Sequence, residues 1–445
     1  MIKVFMYLLA AGIFSSVFAQ NDNSATAKAF IDSFGRQEFA KAYEFFGDEV
    51  KSQFPVTVMP QILSQITGNF GAFQQAVRTE KIGSSDNLTL FVEFEKATVA
   101  MTVLFDSTGK IRSFTLDQSK TVRKNQARYE TPSYADQNSF EESEVTVGTG
   151  EWALPATLTM PKGKVNVPAI VLVHGSGPND RDETHLNPAN KIFKDIAWGL
   201  ASKGIAVLRY DKRTFVHGQK LGSVKKFTIN EETVDDAVLA VDLLGRAPNI
   251  DVRNIYVLGH SLGGMAIPRI GAKGKNIAGL VIFAGTSRKL DDVYVEQNYY
   301  LASLAGAPSK ELQVELGKLK ELARKTKALK ISDPENTPTL LSLPVSYWVD
   351  LNSYDPPALA KTLKQPMLIL QGESDYQVTM ADFMLWKNAL GKRKNVTFKT
   401  YPKLTHAFMS GAGGTPGPQN YEKPNHVDEV VISDIRNWIL KTSKK

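Results

Sequence analysis

Three residues of this chain have the types and spacing for nucleophilic acyl chemistry: Ser261, Asp375 and His406. A serine hydroxyl is a weak nucleophile until a base takes its proton, and an imidazole base needs a carboxylate to fix its tautomer. Ser261 stands in Gly259-His260-Ser261-Leu262-Gly263, a Gly-x-Ser-x-Gly pattern. The run before it, Ile255-Tyr256-Val257-Leu258, is apolar and rich in β-branched and aromatic residues, as in a buried strand. The pattern after it predicts a helix from Leu262. A serine on such a strand–turn–helix corner is held in a strained backbone with its hydroxyl in the open. Side chains at the flanking glycines would collide with the neighbouring strand or helix. The N-terminus of the helix offers free N–H groups to a developing negative charge.

In a parallel sheet, cooperating groups lie past the C-terminal ends of the strands. The strand Pro366–Leu370 leads into Gln371-Gly372-Glu373-Ser374-Asp375, and Val396–Tyr401 leads into Pro402-Lys403-Leu404-Thr405-His406. The order Ser, Asp, His, each after its own strand, is the hydrolase order. Asp375 is therefore the expected acid, with Glu373 or Asp382 as fallback, and His406 the expected base. Of the six histidines, His174, His185 and His217 lie in loops well before the elbow. The side chain of His260 should point away from the hydroxyl. His426, beyond the Gly/Pro-rich loop Gly411–Pro418, is the competitor for the base. The oxyanion donors are expected to be the backbone N–H groups of Leu262 and Ser176, with Gly177 as fallback. Ser176 and Gly177 belong to the loop His174-Gly175-Ser176-Gly177-Pro178 after the strand Ala169–Val173.

The elements that must position these residues begin at Phe140. Strands Glu144–Val147 and Leu154–Met160 join at Gly148-Thr149-Gly150, and Ala169–Val173 is a buried strand. An alternation follows: helix Ile192–Ser202, strand Ile205–Tyr210, helix Glu231–Gly245, strand Ile255–Leu258, helix Leu262–Gly271, strand Ile277–Phe283. This implies an α/β fold, a mostly parallel sheet with helices on both faces. The alternation breaks at Gly285. Residues 288–363 read as an inserted helical cap, with Leu312, Leu316, Leu319 and Leu322-Ala323 marking an amphipathic helix. Tyr294, Tyr299, Tyr347 and Trp348 fall in it and are candidates for lining a substrate pocket. A helix Thr379–Leu390 and a last helix Val427–Leu440 complete the catalytic domain, 140–445.

Before it, residues 22–118 read as a small α+β domain. Helices Ala25–Phe46 and Met59–Phe73 precede strands Leu88–Glu95, Ala97–Phe105 and Ile111–Leu116, with turns at Glu95-Lys96 and Asp106–Gly109. It has no histidine and no catalytic constellation, and reads as an accessory or dimerisation domain, a possible homodimer contact. Residues 119–139, polar and holding Pro132, read as a linker. At the start, Lys3 precedes the apolar stretch Val4–Phe18, closed by Val17-Phe18-Ala19. This is the layout of a secretory signal over residues 1–19, which implies export to a bacterial periplasm or exterior, with no stable membrane span once it is removed.

Composition excludes several alternatives. The 445 residues are 42% hydrophobic and 22% charged, which suits a globular protein with a sizeable core. The net charge of +7 is spread along the chain without a dense basic stripe, so no nucleic-acid partner is expected. The chain has no cysteine, which rules out disulfides, thiolate-ligated metals and a cysteine nucleophile.

From about Phe140 the chain resembles an α/β-hydrolase, and its likeness is to exported bacterial esterases of the EstD type, which carry a small N-terminal domain of unknown function. The motifs carrying the likeness are His174-Gly175-Ser176-Gly177-Pro178 with Asp180-Arg181-Asp182, Arg209-Tyr210-Asp211-Lys212-Arg213, Gly259–Gly264, Gly372-Glu373-Ser374-Asp375 and His406-Ala407-Phe408. One position departs from the pattern: Thr214 stands where such esterases have glycine. The resemblance implies a carboxylesterase acting on small-molecule acyl esters without metal or organic cofactor. Two other readings are a serine peptidase, with Asp291-Asp292 and Asp350 available to hold a substrate amine, and a non-catalytic cell-envelope binding protein.

Overall fold

The computed structural model describes residues 23–444 apart from 54, 55, 57, 58, 84, 125, 126, 222, 223, 225, 305 and 412. The signal expected over 1–19 lies outside the described residues. The chain divides into two compact units between residues 126 and 127.

In the first unit, helices Asn23–Gly35, Phe39–Tyr43, Asp48–Gln53 and Met59–Phe70 precede four strands. These are β1 (Phe73–Lys81), β2 (Leu88–Phe94), β3 (Ala97–Phe105) and β4 (Ile111–Arg123), antiparallel in the order β1-β2-β3-β4. The single helix expected over Ala25–Phe46 is broken, because Gln37 takes a positive φ of 65° and the Glu38 N–H turns back to the Ser33 carbonyl at 2.8 Å. Phe30, Phe34 and Phe46 still meet, with Phe30 and Phe46 ring centres 5.3 Å apart. The strand β1 was not legible: its residues alternate neither in polarity nor in burial, as suits an edge strand with few apolar positions. The turn at Glu95-Lys96 is as expected, with Phe94 paired to Ala97.

The second unit is built on eight strands. They are β5 (Phe140–Val147), β6 (Leu154–Pro161), β7 (Val167–Val173), β8 (Ala206–Tyr210), β9 (Ile250–His260), β10 (Ile277–Phe283), β11 (Met367–Gly372) and β12 (Val396–Tyr401). Their order is β12-β11-β10-β9-β7-β8-β6-β5, parallel from β8 to β12 and antiparallel at β6 and β5. Successive side chains of a strand face opposite sides of a sheet. Accordingly Val171, Val173, Ile255 and Val257 enter one core, with helices Asp235–Leu244 and Leu262–Lys273. Ile170, Leu172, Tyr256 and Leu258 enter the other, with helices Ile192–Ser202 and Glu429–Thr442.

The stretch read as a linker is divided instead. Its start, through Arg123, is the end of β4. From Ala127 it belongs to the second unit, where Tyr129 donates to Asp195 at 2.8 Å and Tyr134 to the Val427 carbonyl at 2.7 Å. Polar composition misled the reading because these tyrosines pack with their rings and bond with their hydroxyls.

Between β10 and β11 the chain leaves the sheet for helices Leu290–Ser303, Lys310–Lys327, Val345–Ser353 and Pro356–Thr362. The departure is pinned by Asp382, whose buried carboxylate accepts from Thr286 Oγ1 (2.8 Å), the Ser287 N–H (2.8 Å) and Arg288 Nη2 (2.9 Å). That use removes Asp382 as a catalytic acid. Tyr347 and Trp348, expected to line a pocket, are core residues. They are 1% and 0% exposed, and their polar atoms bond Glu232 and the Leu340 carbonyl. Their neighbours, not they, tie the cap to the helix Leu262–Lys273: Arg269 meets Asp350 at 2.7 Å, and Tyr354 donates to the Met265 carbonyl at 2.8 Å. Tyr294 is partly buried against the same core, and Tyr299 is exposed.

Candidate active site

Strand β9 ends at His260, and the next helix begins at Leu262. Ser261 between them has φ 55° and ψ −115°, a conformation that non-glycine residues rarely adopt. Its N–H still bonds the Phe283 carbonyl of β10 at 3.0 Å, and its carbonyl accepts from Met265 N–H at 3.0 Å, so strand and helix fix the corner from both sides. A side chain at Gly259 would overlap the Gly263 carbonyl, and one at Gly263 would overlap the Val173 carbonyl. The expected collision is thus the observed one.

Asp375 lies in the turn after β11 and His406 in the turn after β12. His406 Nδ1 meets Asp375 Oδ2 at 2.7 Å, and both side chains are almost wholly buried. The carboxylate is fixed by three further donors: Gln371 Nε2 at 3.0 Å, Gln377 N–H at 2.7 Å and Val378 N–H at 2.9 Å. The loop carrying His406 is tied to the elbow by His260, whose Nε2 bonds the His406 carbonyl at 3.0 Å with the two rings 4.6 Å apart. The remaining candidates are engaged elsewhere. Glu373 bonds Thr400 Oγ1 at 2.6 Å near the surface, and His426 meets Asp195 at 3.0 Å.

The loop 174–177 packs on the elbow: a Cβ added at Gly175 would come within 3.1 Å of the Ser261 Cβ. The Gly175 N–H bonds Glu183 Oε1 at 2.7 Å, so it is not available as an oxyanion donor. The Ser176 and Gly177 N–H groups have no protein acceptor among the described residues. The Leu262 N–H opens its helix, where amides lack intrahelical partners.

The sequence motifs behind this loop turn out to be its scaffold. Asn179 Nδ2 bonds the carbonyls of Gly175 and Ser176, both at 3.2 Å. Lys212 Nζ bonds the Gly175 carbonyl at 2.7 Å and Glu232 Oε1 at 2.6 Å. Arg181 clasps Asp211 (Nη2 to Oδ2, 3.0 Å), and Arg209 bonds Asp182. Thr214, the departure from the expected glycine, places its hydroxyl 3.3 Å from the Gly177 carbonyl. Glu183 and Glu232 were missed because the partners that give them a role, His260 and Lys212, are 77 and 20 positions away.

His174 is neutral. Burial drives its pKa down to about 4, despite the nearby Glu183 carboxylate. Nε2 donates to the Asp180 carbonyl at 3.1 Å, and Nδ1 has no partner among the described residues. The unfolded chain takes up this proton near the ordinary value of about 6.5, the folded chain only near pH 4, so stability is lost as the pH falls through that window. The loss approaches about 3 kcal/mol. In His174→Gln, which keeps a donor for Asp180, urea unfolding at pH 7 and pH 4.5 should differ less than in the parent; an unchanged difference would refute this assignment.

A sheet of this order, a serine elbow at the end of its central β9 and a capping insertion define the class: the second unit is an α/β-hydrolase. A family model described as "Serine aminopeptidase, S33" matches residues 186–411, and a model of a protein of unknown function (DUF3887) matches residues 27–114. Esterase EstD of Thermotoga maritima is 38% identical over 416 residues, 93% of this chain and 94% of that one. The chain belongs to the EstD family of esterases, which are carboxylic ester hydrolases. Among solved structures, Est1E from Butyrivibrio proteoclasticus is similar over 67% of this chain and 98% of its own, at 17% identity and TM-score 0.44. Acetyl xylan esterase 1 from Thermoanaerobacterium sp. is similar over 71% and 87%, at 16% identity and TM-score 0.43.

Proposed function

We propose that the protein is a serine carboxylesterase cleaving short-chain acyl esters, with Ser261 as nucleophile, His406 as base and Asp375 as the acid that orients it. The observation that carries this reading is the buried 2.7 Å contact of His406 with Asp375, on a loop that His260, the residue before Ser261, holds by the His406 carbonyl at 3.0 Å. His406 takes the Ser261 proton as the hydroxyl oxygen attacks the ester carbonyl carbon. The Leu262 and Ser176 N–H groups hold the oxyanion, with Gly177 next in line. The C–O bond to the alcohol then breaks, and His406 returns the proton to the leaving oxygen. Water, deprotonated by His406, cleaves the acyl-enzyme by the same route and restores Ser261. Asp375 stabilises the imidazolium at each stage.

The peptidase reading needs a carboxylate free to hold a substrate amine. Asp350 is paired with Arg269 at 2.7 Å, and Asp292 with Lys327 at 2.6 Å, while Asp291 lies 3.7 Å from the same lysine. These pairs favour the esterase. A fluorophosphonate probe should label the protein once, on the peptide carrying Ser261, and aryl acetates should turn over where aminoacyl anilides do not. Labelling elsewhere would overturn the nucleophile, and anilide cleavage matching acetate cleavage would favour the peptidase. No labelling at all would favour a binding protein.

A further inference from the structure

Elbow, base loop and oxyanion loop are joined by one buried line of hydrogen bonds that the triad chemistry does not use. The Gly175 N–H donates to Glu183 Oε1 at 2.7 Å. Glu183 Oε2 faces His260 Nδ1 at 3.0 Å, and His260 Nε2 faces the His406 carbonyl at 3.0 Å. Glu183 is 4% exposed and His260 3%. Glu183 also takes a positive φ of 48°, a conformation that side-chain-bearing residues rarely adopt.

The protonation follows from the partners. A carbonyl only accepts, so His260 Nε2 carries a hydrogen. A carboxylate that accepts from the Gly175 N–H at one oxygen and faces Nδ1 with the other is best served by a second ring hydrogen. We propose that Glu183 and His260 are positioning residues, a buried carboxylate–imidazolium pair that fixes the oxyanion loop through Gly175 and the base through the His406 carbonyl. The proposal rests on the triad reading above. Burial disfavours an imidazolium here, but the Glu183 carboxylate, the His406 carbonyl and Asp375 together raise the His260 pKa. Burial likewise disfavours the carboxylate of Glu183, but His260, His174 and the Gly175 N–H together lower its pKa.

A purely structural account explains the pair less well. Buried ion pairs are weak devices for stability, since apolar replacements are often as stable. This one ends at both sides on backbone groups of loops that the chemistry requires to within fractions of an ångström. Misplacement by about 1 Å costs roughly a hundredfold in rate.

The test uses the full chain. Glu183→Leu, which cuts both bonds, should lower kcat about a hundredfold and leave KM within about threefold. Glu183→Gln can still accept from Gly175 and donate to a neutral His260, so it should keep most of the parent kcat. The double variant Glu183→Leu/His260→Leu should be no slower than the slower single one, because the two residues act as one unit. Histidine-selective nitrogen NMR of the parent should show both ring nitrogens of His260 protonated near neutral pH, assigned by their loss in His260→Gln. An unchanged kcat in Glu183→Leu, a loss confined to KM, or additive losses would overturn the proposal. A singly protonated His260 ring in the parent would overturn it whatever the leucine variant does, including failure to fold. Ser261→Ala separates the two readings. If that variant is inactive and Glu183→Leu is not impaired, only the positioning role falls; if Ser261→Ala still turns over, the triad reading falls.

Discussion

Ser261→Ala is expected to remove about a millionfold in kcat while leaving thermal stability unchanged, and Ser261→Gly to be equally inactive but more stable than the parent. The two outcomes follow from one geometry. The elbow holds Ser261 at φ 55° and ψ −115°, which costs a residue with a Cβ about 1–3 kcal/mol. Alanine keeps the Cβ, hence the strain, and loses only the hydroxyl. Glycine removes the strain, offset by about 0.5–1 kcal/mol of extra chain entropy lost on folding. The net gain should be about 1 kcal/mol, read as a higher urea midpoint. Stored strain at a position whose only use is chemistry would then be measured directly. A glycine variant less stable than the alanine one would show that the corner is not strained, and residual turnover above about a thousandth of the parent would remove Ser261 from the mechanism.

The elbow was legible because its information is local. A β-branched run, two glycines and a helix start lie within ten residues, and the collisions that demand the glycines are the observed ones. The meeting of Asp375 with His406 was legible for a related reason: each follows its own strand, and parallel topology alone brings those two ends together. The scaffold of the oxyanion loop was not. Glu183 meets His260 across 77 positions, and Tyr347 meets Glu232 across 115, and neither pairing leaves a periodic trace in the chain. Tyr347 and Trp348 were read toward a pocket because an aromatic in a cap packs and lines equally well on paper; only the burial of their polar atoms decides. The edge strand β1 escaped because few apolar residues mark it. Thr214 departs from the expected glycine, and its hydroxyl meets the Gly177 carbonyl at 3.3 Å, so the departure brings its own hydrogen bond to the loop.

Lys212→Met should cost about 3–5 kcal/mol of stability and also slow turnover, and the two effects should come apart. Lys212 and Glu232 are almost wholly buried, 2.6 Å apart, and Tyr347 donates to the other oxygen of the same carboxylate. Methionine fits the volume of lysine but leaves the Glu232 charge buried with one partner, which is the expensive half of a broken ion pair. The triple variant Lys212→Met/Glu232→Met/Tyr347→Phe removes charge and polar partners together. Because an apolar replacement of a whole buried network is often neutral, its thermal midpoint should return most of the way to the parent. Its kcat should not. Lys212 Nζ also holds the Gly175 carbonyl at 2.7 Å, and no residue of the triple variant restores that bond. Asn179 still holds that carbonyl at 3.2 Å, so the loop is loosened rather than freed, and a loss of about tenfold to a hundredfold in kcat is expected. Recovery of kcat in step with the midpoint would show that Lys212 serves only the fold. A recovered midpoint with a persistent kcat deficit at unchanged KM would show that the same ammonium group, through two bonds of nearly equal length, both neutralises a buried carboxylate and aims the oxyanion loop.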